Sequence, residues 1–149
     1  MTTTNDAGAL RELTMRREYA VAPERLWAAW TTRDGLLPWW WNHWSGVSVQ
    51  VDPRVGGSYR IVASAQGIEV AGRYLEVLPP RRLVFTWEWT DAEGSQTGET
   101  VAVDFEAQDR GTLLTLRHTG PWPDEAPAAA YAQGWGFVLD ALSTLLTAG

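Results

Sequence analysis

Apolar and polar residues alternate with a period of two along most of the chain. Between residues 10 and 20, Leu13, Met15, Arg17 and Tyr19 alternate with Thr14, Arg16 and Glu18, which predicts a first strand. The same alternation returns after residue 46. Val47, Val49 and Val51 alternate with Ser48, Gln50 and Asp52, and Tyr59, Ile61 and Ala63 resume the pattern after a turn at 53–57. Further strands are predicted over 68–77, closed by Pro79-Pro80, and over 82–90, followed by the hairpin signal Asp91-Ala92-Glu93-Gly94. The last two strands lie around Val101, Val103 and Phe105 and over 112–118.

Two stretches depart from that period. In Ala22-Pro23-Glu24-Arg25-Leu26-Trp27-Ala28-Ala29-Trp30 a proline and a glutamate stand in the first turn, and Leu26 and Trp30, four apart, share a face. This is a short helix. A second short helix or helical turn is expected over 32–41, interrupted by Gly35 and Pro38. After a proline-rich loop at 119–127, residues 128–147 read as a long helix. There Tyr131, Trp135, Val138, Leu142 and Leu145 recur at steps of three and four, flanked by Leu139 and Leu146.

The order is strand, two short helices, six strands, long helix. It predicts an α+β domain in which a seven-stranded antiparallel sheet has one face covered by the C-terminal helix, the only element long enough to cover it. A curved sheet on a single helix leaves a gap near the short helices, and apolar gaps of that kind are where small-molecule pockets form. No internal repeat or linker divides residues 10–149, which are expected to form one domain, with 1–9 a disordered tail.

Composition narrows the chemistry. Cysteine is absent, which removes disulfides, thiolate catalysis and cysteine-held metals. Lysine is absent as well, so no Schiff base or Walker-type phosphate lysine is available. The net charge is −6 with no basic stripe, so nucleic acid is not an expected partner. No run approaches the roughly 18 apolar residues of a membrane span, and the first ten residues lack the order of a secretory signal. A cytoplasmic location is expected.

Tryptophan is the outlier, with 10 residues, four of them between 39 and 44. Such a short irregular stretch is not expected to bury all of its rings. One or two of Trp39, Trp40, Trp41 and Trp44 would cap the pocket and another would be exposed, marking a gate or a homodimer interface. The alternative is that they pack on one another and on Trp27 and Trp30.

The candidate ligand-binding residues follow from shared strand and helix faces: Trp30, Trp40 and Trp44 near the short helices; Tyr59 and Tyr74, each a ring with a hydroxyl; Trp87 and Trp89 on one strand; Tyr131 and Trp135, four apart on the long helix; and His118. By alternation His118 faces the same way as Leu114 and Leu116. It is either a general base or ligand donor at the pocket mouth, or a hydrogen-bonded histidine ending a strand. His43 is expected at the surface, and Glu69 and Glu88 on the solvated face. With no HxH or HxxxH spacing, no metal and no cofactor is expected. Gly56-Gly57 lacks a phosphate-loop context and reads as a tight turn or bulge.

The chain resembles AHSA-type domains, named for the activator of a heat-shock chaperone ATPase. The resemblance runs through Ala22-Pro23-Glu24-Arg25-Leu26-Trp27, Trp39-Trp40, Gly56-Gly57-Ser58-Tyr59-Arg60, Gly72, residues 79–87, residues 111–116 and Gly134-Trp135, over about residues 12–147. Such domains are placed in the SRPBCC superfamily, with START and birch-pollen-allergen-like proteins. The resemblance implies a helix-grip fold and a link to stress response. The superfamily's lipid carriers, hormone receptors and cyclases imply a cavity function.

Three readings follow. The first is a binding module holding an apolar, aromatic or lipid-like molecule for sequestration, transport or sensing. The second is a cyclase- or hydrolase-like enzyme using the same cavity, with His118 as base and Tyr59, Tyr74 or Glu69 assisting. The third is a co-chaperone-like interaction module with a chaperone partner. The residues favour binding over catalysis.

Overall fold

In the computed structural model, which describes residues 10–148, the strands follow the alternation closely. They are β1 (Arg11–Tyr19), β2 (Val47–Val51), β3 (Ser58–Ala63), β4 (Ile68–Leu78), β5 (Arg82–Asp91), β6 (Gly94–Gln108) and β7 (Gly111–Gly120). All neighbours pair antiparallel in one sheet of order β1-β7-β6-β5-β4-β3-β2. The helices are α1 (Pro23–Thr31), α2 (Arg33–Leu36) and α3 (Ala126–Ala148). The expected helix-grip arrangement is therefore present. The tail expected over 1–9 lies outside the described residues.

The sheet encloses α3 because every strand turns its apolar parity to one side. Leu114, Leu116 and His118 of β7, Val101, Val103 and Phe105 of β6, and Leu83, Phe85 and Trp87 of β5 are all buried. Against them α3 turns Trp135, Val138, Leu139 and Leu142, also buried. The hydroxyl of Tyr19 at the end of β1 donates to the Leu139 carbonyl at 3.1 Å, which ties the helix to the sheet edge. Among the described residues, no helix is long and apolar enough to cross a membrane.

Three expectations need correction. β6 is much longer than the segment around 101–105, because Gly94–Glu99 continues the hairpin with polar residues that carry no alternation signal. β7 runs through Gly120, and α3 begins at Ala126, where Asp124 Oδ1 accepts the Ala126 N–H at 2.9 Å. The third concerns the tryptophan stretch. Trp39, Trp40 and Trp41 are all buried and Trp44 is half-buried, so no exposed ring occurs there. Helical turns after α2 fold the stretch onto Trp30, which lies 5.0 Å from Trp39 and 6.5 Å from Trp40 between ring centroids. Trp39 Nε1 donates to the Ala29 carbonyl at 3.1 Å, satisfying its polar edge inside the core. A left-handed backbone at Trp41, with φ 49°, turns the chain so that its ring packs on Trp44 and Trp89.

Candidate functional site

A cavity of about 420 Å³ opens between α3 and the β5–β6 end of the sheet. Six aromatic rings wall it: Trp40 and Trp41 from the turn after α2, Trp87 and Trp89 from β5, and Tyr131 and Trp135 from α3. Some neighbouring rings meet near right angles, as the sides of a box do, whereas Trp40 and Trp41 are inclined at 58°, Trp87 and Trp135 at 43°, and Trp87 and Trp89 are stacked at 17°. Trp41 and Trp89 are inclined at 88°, Trp89 and Tyr131 at 79°, and Trp40 and Trp135 at 88°.

The space exists because α3 turns its smallest residues toward these rings. Ala126, Ala130 and Gly134 recur every fourth position, so they share one face, and all three line the cavity with Pro127 and Val138. A Cβ added at Gly134 would meet nothing within 4 Å.

Gln96 reaches the same lining through a β-bulge. Trp87 pairs with Glu99 and Trp89 with Gln96, so two steps on β5 face three on β6. Gly98, at φ 83°, absorbs the extra residue. Glu99 keeps the parity of Val101 on the concave face, and the bulge beyond it reverses parity and turns Gln96 toward the cavity.

Directly behind the wall lies a buried polar chain. Trp135 Nε1 donates to His118 Nδ1 at 3.0 Å, and His118 Nε2 stands 2.7 Å from Glu99 Oε1. An indole N–H can only donate, so Nδ1 carries the lone pair and Nε2–H donates to the Glu99 carboxylate. Tyr131 covers the imidazole at 4.3 Å between ring centroids, and its hydroxyl accepts from Trp87 Nε1 at 3.3 Å. Burial pushes His118 below its ordinary pKa of 6.5, and Glu99 offsets this only in part. Burial, reinforced by the charge of Glu99, pushes the Tyr131 phenol up.

Of the ten candidate residues, the structure brings Trp40, Trp87, Trp89, Tyr131 and Trp135 together around the cavity. His118 is fully buried behind Tyr131 and Trp135 and does not reach the lining. Trp30 backs the wall, stacked on Trp135 at 6.1 Å, and Trp44 packs on Trp41 and His43. Tyr59 and Tyr74 sit further along the sheet in a cluster with Phe85, where the Tyr59 hydroxyl donates to the Thr86 carbonyl at 2.6 Å. His43 and Glu88 are exposed, and Glu69 pairs with Arg60 at 2.9 Å. Trp41, weighed only as one of four rings that could cap the pocket, lines it together with Trp40, whereas Gln96, Glu99 and Gly134 are not among the candidates. Extending the β6 alternation back two residues from Val101 would have placed Glu99 on the inner face. Gln96 gave no such signal, because the bulge reverses its parity. Among the described residues, no group of three or more histidines and carboxylates converges as a metal site would require.

Residues 20–147 match the family model for activator of Hsp90 ATPase homolog 1-like proteins, AHSA1. Solved structures with the same fold include the AHSA1 protein of Silicibacter pomeroyi, 29% identical with a TM-score of 0.73, the match covering 92% of this chain and 98% of that one. A protein of Mesorhizobium loti is 26% identical, with a TM-score of 0.77 and coverage of 92% and 97%. At the level of fold alone, a protein from the dynemicin biosynthetic locus aligns with a TM-score of 0.76 at 18% identity, over 91% of this chain and 47% of its own length. No curated protein sequence matches this chain. A family match across nearly all the described residues, on a helix-grip fold, makes this chain a member of the AHSA1 family.

Proposed function

We propose that the protein binds a small apolar or aromatic molecule in the cavity between α3 and the sheet, for sequestration, transport or sensing. The observation that carries this reading is the aromatic box itself. Trp40, Trp41, Trp87, Trp89, Tyr131 and Trp135 enclose about 420 Å³, within the range of roughly 300–1,000 Å³ common for small-molecule sites. Affinity would come mainly from burying apolar ligand surface, at about 25 cal/mol per Å² before the costs of association. The Tyr131 hydroxyl and the Gln96 amide are among the polar groups available to orient the ligand.

The buried chain behind the wall supports binding rather than proton transfer. Both ring nitrogens of His118 are already hydrogen-bonded and the residue is out of reach of solvent. A general base needs a free lone pair within hydrogen-bond distance of its substrate. His118 and Glu99 instead hold Trp135 in place as a wall. The test is native mass spectrometry of the protein purified from its own host. A bound apolar or aromatic compound at one per chain supports the reading. An empty protein that no member of an aromatic compound library protects against heat denaturation contradicts it.

A further inference from the structure

The rings around the cavity offer more than apolar area. Aromatic faces carry the negative end of a quadrupole and attract cations placed over them, indole most strongly. Five of the six walls are indoles. Trp89 is further polarised, because its Nε1–H donates to the Asp91 carboxylate at 2.9 Å. Among the described residues, no arginine or histidine lines the cavity, and the chain has no lysine. An anionic ligand would therefore be buried without a cationic partner, which is costly. Two acidic groups stand next to the box: Asp91 beside Trp89, and Glu99 behind His118.

From this juxtaposition we propose that the cavity is an aromatic cage for a small organic monocation, a quaternary or tertiary ammonium carried on an aromatic or alkyl body. The proposal rests on the binding reading above and names the ligand class. The local field points the same way, since the charges of Glu99 and Asp91 add to burial in holding the Tyr131 phenol neutral. Those charges that disfavour a phenolate at the wall favour a cation inside it. Desolvation of the ammonium opposes binding, and the facing indoles and nearby carboxylates offset it. A quaternary ammonium suits the site best, because it is weakly hydrated and needs no hydrogen-bond acceptor.

The experiment compares two probes of equal shape, phenyltrimethylammonium and its uncharged isostere tert-butylbenzene, by isothermal titration and by quenching of tryptophan emission. The cation should bind at least about tenfold more tightly than the isostere. The Asp91→Asn variant should narrow that ratio severalfold. If tert-butylbenzene binds as tightly as the cation or more so, the cage proposal falls and the binding reading stands. If neither probe binds, the binding reading falls with it.

Discussion

His118 is held by a donor on one side and an acceptor on the other, and its charge state is built into that arrangement. Protonation would put a hydrogen on Nδ1, facing the Trp135 indole N–H 3.0 Å away, and would break that bond. The groups packed around the ring are the Glu99 carboxylate, the Tyr131 phenol and the indoles of Trp87, Trp122 and Trp135. The folded pKa is depressed from 6.5, so the unfolded chain takes up the proton first as pH falls. The stability tied to neutral His118 is thus complete above about pH 6.5 and declines as pH falls through that value toward the folded pKa. Urea unfolding between pH 7.5 and 5.5 should show this loss in the wild type and a flatter profile in His118→Gln. Gly134 makes a second residue-scale prediction. With open space where a Cβ would go, Gly134→Ala should raise stability by roughly 0.5–1 kcal/mol through helix propensity. Thermal melts of the two proteins check this.

Element by element, the chain was most readable where one face is dry and the other wet. Alternation located all seven strands, and the steps of three and four in Tyr131, Trp135, Val138 and Leu142 located α3 with its inner face. It failed where structure depends on distant partners. The Gly94–Glu99 half of β6 is too polar to signal a strand and is fixed by pairing with β5, and its bulge shows only once the register is known. The burial of Trp39 depends on a hydrogen bond to Ala29 and on the ring of Trp30, neither of which has a local signature. The cavity wall was therefore legible in part: Trp87, Trp89, Tyr131 and Trp135 lie on predicted faces, whereas Trp41 and Gln96 come from irregular backbone. Gly98 is where the bulge is most sensitive. At φ 83° a side chain is strained, so Gly98→Ala should destabilise the fold by about 1–2 kcal/mol in chemical denaturation. The tryptophans should divide by position. Trp39→Ala, in the core, should lose about 3–5 kcal/mol of stability. Trp89→Ala, half-buried at the cavity, should lose far less stability and weaken ligand binding by roughly tenfold.

For the whole molecule, the fold and the cavity have one origin. A sheet curved around a single helix encloses space wherever the helix face becomes too small to fill it, and α3 becomes small at Ala126, Ala130 and Gly134. The six rings then face a volume that the chain itself leaves open. A ligand that binds only the folded state stabilises it by RT ln(1 + L/Kd), where L is its free concentration, and so raises the melting temperature with the logarithm of that concentration above Kd, which lets occupancy be read without knowing the natural ligand. The central claim is that this space is the binding site. The most direct measurement is titration of the neutral fluorescent probe N-phenylnaphthylamine into the wild type and into Gly134→Leu, a side chain that occupies the open space on α3. The account predicts saturable, stoichiometric binding to the wild type, and loss of that binding in a variant that melts no lower than the wild type. Equal binding by both proteins, or none by the wild type, would contradict it.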